Sequence, residues 1–429
     1  MEVGSRGLMH RLRKQPASIY LGLLAAGAVL TQYVSYLGKG APVFKGQPAA
    51  IMLFFVIFGF AFTFWLGVKS RPRAKGLMSG FLILMSAAWF AHLLLYRLHG
   101  DDFNYLALLY VPILVMIWFK PPDLREAWTA ILAFAWTVAS VLVLTRVLEM
   151  LEILEVKTQP LGVIIFDEEN YFLPLNDPLG ISGRWPGPFE HNADTAMMGA
   201  LLIIIAIAYW TKASWVFIAV GAFTLLITSG RASMGAVIAG VIVIIVFTNH
   251  GLMARIPRVI RVWCGLGLLL AGAIFMYTRS SGVTGRNRFW PAFIELWQSS
   301  PVFGVGTSGI SISGGITQEY GHAHNLYLDE LARYGLLGFV TQFAAITFGV
   351  VIAFIAAKRG VAGPLAILTA YLVTGVTEPR NSWISPSVTG MLVILIVVTA
   401  ASALERKKLM LRSDNDKHQR VTESVSLQT

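Results

Sequence analysis

Apolar residues run along most of this chain in stretches too continuous for the one-sided helices of a soluble domain. The runs lie near 17–37, 49–68, 76–96, 103–119, 127–146, 194–210, 214–229, 232–248, 260–278, 334–357, 361–377 and 386–403. Each approaches the roughly 20 residues that an α-helix needs to cross about 30 Å of hydrocarbon. Twelve such runs predict an all-α integral membrane protein, because a backbone in lipid must satisfy its hydrogen bonds within each segment. Most connections are short, but two are long, at about 147–193 and 279–333. The first run follows Arg11, Arg13 and Lys14 in the manner of a signal peptide. It is about 20 residues long and further runs follow, so an anchor is expected. Residues 1–411 read as one polytopic domain, and 412–429 as a polar, disordered tail.

Composition agrees with the pattern. Hydrophobic residues make up 56% of 429 and charged residues 13%, against about 25% charged in a soluble domain. The net charge of +11 would raise the question of nucleic acid in a soluble protein. Here the basic residues occupy alternate connections: the N-terminus, 69–75, 120–126, Lys212, 249–262, Lys358-Arg359 and the tail. The intervening connections are net acidic. That alternation predicts a cytoplasmic basic face, both termini inside, and both long loops outside. The excess charge is a topology signal, and no nucleic-acid partner is implied. One cysteine, Cys264, excludes an internal disulfide, a CxxC redox site and a cysteine zinc site.

Polar residues that stay near the membrane are the candidates for chemistry. The outer loops hold Gly183-Arg184-Trp185 leading to His191-Asn192, then Thr284-Gly285-Arg286-Asn287-Arg288-Phe289-Trp290, and Pro301-Val302-Phe303-Gly304-Val305-Gly306. Phe289, Trp290, Phe293 and Trp297 suit a short helix at the membrane interface. Loops of this length are usually functional. Between two apolar runs, Ser229-Gly230-Arg231 puts an arginine where its charge is costly unless it binds something. The densest island runs from Gly321 to Gly338 and contains His322, His324 and Asn325. A helix from His324 would place 324, 328, 331, 335 and 338 on one face, with Gly335 and Gly338 as a close-packing seam. Asp329 and Arg333, four apart, can pair on another face.

Arg184, Arg231, Arg286 and Arg288 thus share one side of the membrane with His324, and Arg380 joins them on the last outer loop. Arginine grips phosphate through paired hydrogen bonds, and histidine exchanges protons near neutral pH. Outside the cytoplasm there is no ATP, so a bond-forming reaction needs a donor with its own leaving group. In a bilayer that is a lipid-linked diphosphate sugar. No DxD-spaced acids or His/Cys cluster demands a metal; the arginines can take its place, and no cofactor is expected.

The set resembles the O-antigen ligase and O-antigen polymerase superfamily. His324-Asn325, nine residues, then Gly335-Leu336-Leu337-Gly338 is similar to its signature. Gly183 to Asn192, Ser229-Gly230-Arg231, Gly285-Arg286 with Trp290, and Pro301 to Gly306 follow its order. The likeness covers roughly 184–338, and an extra glycine separates Ser229 from Arg231. It implies a GT-C-like membrane glycosyltransferase in a Gram-negative inner membrane, moving glycan from undecaprenyl diphosphate on the periplasmic side. By that resemblance His324 is the catalytic base and Arg231 and Arg286 the diphosphate ligands. Arg184 and Arg288 join them as substrate-binding candidates; Asn325, His322, His191 and Arg380 are supporting. A chain of this length with one large loop before His324 suits the ligase, which joins O-antigen to the lipid A–core oligosaccharide. A polymerase of the superfamily, a protein O-oligosaccharyltransferase and a flippase or transporter are the alternatives. A transporter would gather its polar groups at the bilayer midplane, whereas here they collect at the outer ends.

Overall fold

A computed structural model describes residues 76–101, 110–151, 191–228, 230–248, 255–267, 290–313, 321–376 and 392–405, with isolated positions such as 74, 185 and 187–189. Every regular element among the described residues is helical. The principal ones, in chain order, are α1 (Leu77–His99), α2 (Tyr110–Phe119), α3 (Leu124–Met150), α4 (Asn192–Ala208), α5 (Ser214–Thr228), α6 (Arg231–Phe247), α7 (Trp290–Ser299), α8 (Gly306–Ile312), α9 (Leu326–Lys358) and α10 (Gly363–Gly375); a further helical stretch covers 258–267. A last helix, α11, covers Leu392–Glu405. Most of each of the expected runs near 17–37 and 49–68 lies outside the described residues. Among the described residues three helices, α1, α3 and α9, are long and apolar enough to cross a membrane; α4, α5, α6, α10 and α11 are shorter apolar helices.

The longer helices are apolar around most of their circumference, as bilayer-embedded helices are. In α1, Phe81, Leu82, Met85, Ala88 and Leu95 are buried while Ile83, Phe90, Leu94 and Leu98 face outward. Without a difference in polarity to drive association, close packing has to do it, and small residues allow close approach. Gly199 of α4 and Gly221 of α5 meet so tightly that a Cβ on Gly221 would lie 2.5 Å from the Gly199 carbonyl oxygen. Gly240 of α6 fits between Ile204 of α4 and the Ala366 carbonyl of α10.

Helix starts are set locally. Asp123 and Glu126 form a reciprocal capping box on α3, with bonds of 2.7 and 3.0 Å. Successive helices then alternate in direction, so their ends sort into two layers. One layer holds Pro122 bonded to Ser402 (2.7 Å), Ala74 bonded to Trp118 (3.1 Å), and Tyr209 against Trp128. Lys120, Lys212, Lys358 and Arg359 belong to this end. The opposite layer gathers the ends of α1, α3, α5 and α10 with the starts of α4, α6 and α9. Of the candidate site residues, His191, His322, His324, Asn325 and the Arg231 backbone lie there.

Candidate active site at the start of α9

The long helix α9 is two helices joined at a break. Gly335 has φ 61° and ψ −163°, a conformation nearly confined to glycine, and it separates 326–334 from 336–358. The run Pro301–Val305 fills the gap. Leu336 and Leu337 N–H donate to the Pro301 and Val302 carbonyls at 2.8 and 3.0 Å, and Val305 N–H donates to the Ala332 carbonyl at 2.9 Å. The groups freed by the break are thus satisfied from outside the helix. Gly304, at φ 73°, lies so close that any Cβ would overlap the Arg333 carbonyl. The expectation that Gly335 lines a seam between helices is corrected: it is a break stitched by a wedge. Gly338, one turn on, does face a neighbour, Leu95 of α1.

The wedge is held from below by α1. His99 Nε2 donates to the Phe303 carbonyl (3.0 Å), and Asp101 accepts from Thr307 and Ser308 N–H at 2.8 and 3.0 Å, capping α8. The short helix of aromatic residues forms as α7. It turns Phe293 inward, fully buried against Ile310, Ala323 and Ala332, and its Trp297 indole donates to the Pro301 carbonyl.

His324 is not the first residue of a helix, contrary to the periodicity. The helix begins at Leu326, and Asn325 is its N-cap: its Oδ1 accepts from Tyr327 and Leu328 N–H at 3.0 and 3.1 Å. An asparagine offers this cap locally, and that stops the helix one step short of the histidine. His324 instead takes φ 48°, alone among the non-glycine residues described in having a positive φ. That backbone costs about 1–3 kcal/mol and persists only where its surroundings impose it. The ring therefore does not sit over Leu328 and Leu331; it stands edge-on to His322, with centroids 4.2 Å apart. Beside it, the Asp329 carboxylate accepts from Ala323 N–H at 3.1 Å and from Arg333 Nε at 2.7 Å. The pairing of Asp329 with Arg333 is as expected, but its target is the loop before His324.

Residues 192–343, from the start of α4 through this break, match the family model described as O-antigen ligase. Over this stretch the chain is similar to the O-antigen ligase family. No curated protein matches the chain.

The structure brings further candidates to the same layer. His191 is the N-cap of α4, its Nδ1 accepting from Ala193 N–H at 3.2 Å. Arg231 is the first residue of α6, next to Gly230, which approaches Ala196 of α4 so closely that no Cβ would fit. The extra glycine between Ser229 and Arg231 is thus the contact point of two helices. The end of α10 lies between the starts of α4 and α9: Thr374 donates to Met197 Sδ at 3.3 Å, and Tyr327 donates to the Leu372 carbonyl at 2.8 Å. His191, the Arg231 backbone, Asn325, His322 and His324 therefore share one end of the bundle. The Arg231 side chain, and Arg184, Arg286, Arg288 and Arg380 entirely, lie outside the described residues. Next to Arg184, Trp185 is fixed from both sides. Its indole donates to both oxygens of buried Glu149, at 3.0 and 2.8 Å, and its N–H donates to the Ile227 carbonyl.

One polar layer of the bundle left little trace in the sequence. Beneath the His324 loop, buried Glu330 meets His92 Nε2 of α1 at 3.3 Å, and Tyr334 donates to Tyr96 Oη at 2.9 Å. A histidine and a tyrosine four apart inside the apolar run 76–96 were the available signal. Among the described residues no group of three or more His, Cys, Asp or Glu side chains could hold a metal ion.

Proposed function

We propose that this protein is an O-antigen ligase: a GT-C-like, twelve-span enzyme of a bacterial inner membrane with both termini in the cytoplasm. It transfers O-antigen polysaccharide from undecaprenyl diphosphate to a hydroxyl of the lipid A–core oligosaccharide on the periplasmic side. The observation that carries the reading is His324. A histidine held at positive φ in a braced loop, inside a stretch that matches the O-antigen ligase family, has the marks of a strained functional residue. In the step, the His324 imidazole takes the proton of the acceptor hydroxyl as its oxygen bonds to the anomeric carbon. The bond from that carbon to the diphosphate breaks, and the electron pair leaves on undecaprenyl diphosphate. Arg231 and Arg286, with Arg184 and Arg288, hold the diphosphate and stabilise its growing charge; Asn325, His322, His191 and Arg380 support the site. One displacement by one base gives inversion at that carbon.

The test is transfer by the purified, full-length protein with lipid-linked donor and lipid A–core acceptor. His324→Ala lowers the rate about 10²–10⁴-fold, Arg231→Lys and Arg286→Lys lose most activity because lysine lacks the two-pronged donor, and chelation leaves turnover intact. A fully active His324→Ala, or retained anomeric configuration, sinks the mechanism. In a deletion strain, loss of all O-antigen-capped lipopolysaccharide supports the ligase; survival of single-repeat caps points to the superfamily's polymerase instead.

A further inference from the structure

The His324 loop hangs between two pins, and both come from the first turns of α9. After His324, the Asn325 side chain grips the N–H groups of Tyr327 and Leu328. Before it, Ala323 N–H donates to Asp329 Oδ1 at 3.1 Å, while the Ala323 side chain is fully buried. The other Asp329 oxygen takes Arg333 Nε at 2.7 Å. Arg333 then donates to the Gly321 carbonyl and, at 3.1 Å, to Thr307 Oγ1 of α8. Thr307 is anchored in turn by Asp101 at the end of α1. A continuous line of bonds thus runs from a membrane helix to the residue beside His324. Only a guanidinium, with donors in a rigid fork, can serve three segments at once. A pair that served helix stability alone would need no bonds to Gly321 and Ala323. Those two bonds fall three and one residues before the strained histidine.

We propose that Asp329 and Arg333 are positioning residues for His324, setting the backbone from which its imidazole works without touching substrate. The proposal deepens the reading of His324 as the base and rests on it. Asp329→Asn keeps an oxygen for Ala323 N–H but cannot pair with the guanidinium. Arg333→Lys keeps the charge but cannot reach all three partners, and Arg333→Met removes both.

Two measurements on the full-length protein in detergent decide it. The first is the rate at which diethyl pyrocarbonate modifies His324, followed by mass spectrometry of its peptide. The second is steady-state transfer with undecaprenyl-diphosphate-linked glycan and lipid A–core acceptor. Modification of His324 changes several-fold in Asp329→Asn and Arg333→Met. In the same variants kcat falls about 10–100-fold, as misplacement by about 1 Å does, while KM for the donor stays within about twofold. The double variant is no worse than its worse parent, because both belong to one device. Unchanged modification with unchanged kcat overturns the proposal, as does a rise in KM at constant kcat, which would make the pair a substrate contact. If the wild-type protein transfers nothing, the ligase reading fails, and the modification rates alone then decide the clamp. Arg333→Lys gives the same two readouts if the Met variant does not fold.

Discussion

His92 Nδ1 faces the Ala88 carbonyl at 3.1 Å, and a carbonyl only accepts, so this nitrogen carries a hydrogen. Nε2 then meets Glu330 Oε2 at 3.3 Å. That contact needs one more proton: an imidazolium facing a carboxylate, or a neutral ring facing a carboxylic acid. Both groups are buried, so losing the Glu330 carboxyl takes away the group that faces His92 Nε2. Glu330→Ala is expected to cost about 3 kcal/mol or more. Glu330→Gln, whose amide can donate to a neutral ring, is expected to cost less than about 1 kcal/mol. Thermal unfolding of the detergent-solubilised variants measures both; equal losses would show that the hydrogen bond is not what matters.

At the scale of elements, the decisive object is the break in α9 with its wedge. A Cβ at Gly335 would overlap the Val302 carbonyl and lie 2.5 Å from Gly304 N. At Gly321, also at positive φ (64°), nothing lies within 4 Å. Gly321→Ala therefore meets only the left-handed backbone penalty of about 1–2 kcal/mol. Gly335→Ala must also expel the wedge, and with it the bonds that seat α8 and the His324 loop. The melting temperature should fall much further for Gly335→Ala than for Gly321→Ala, and only the former should abolish transfer. Similar losses at the two positions would mean that the wedge does not brace the site.

Across the whole molecule, helix direction alternates, and the two end layers differ in chemistry. One carries Lys120, Lys212, Lys358 and Arg359, and the other Asp101, Glu149, His191 and His324. The asymmetry in basic residues predicts which layer faces the cytoplasm. Reporter fusions at Lys75, Lys212 and Lys358 should read cytoplasmic, and those at Glu168 and Gly314 periplasmic. A cytoplasmic reading at Gly314 would put the His324 layer where no lipid-linked donor is presented.

The positions of the helices were legible along the chain because burial in lipid leaves an unbroken apolar record, one residue after another. The helices α1, α3, α4, α5, α6 and α10 fall on the runs that hydropathy marks. The pairing of Asp329 with Arg333 was legible too, since four residues is one helical turn. The site itself was legible as a list of residue types and not as a shape. Periodicity carried the helix back to His324 and across Gly335, because period alone cannot register a side-chain cap or a backbone supplied by a distant segment. Asn325 ends the helix early, and Pro301–Val305 opens it at Gly335 from about thirty positions away in sequence. The layer of His92, Tyr96, Glu330 and Tyr334 exists only where α1 crosses α9. Hydropathy is a property of each residue and its neighbours, so the chain by itself determined where helices form. Which polar groups meet depends on contacts between residues hundreds of positions apart, and only the packed structure decided those.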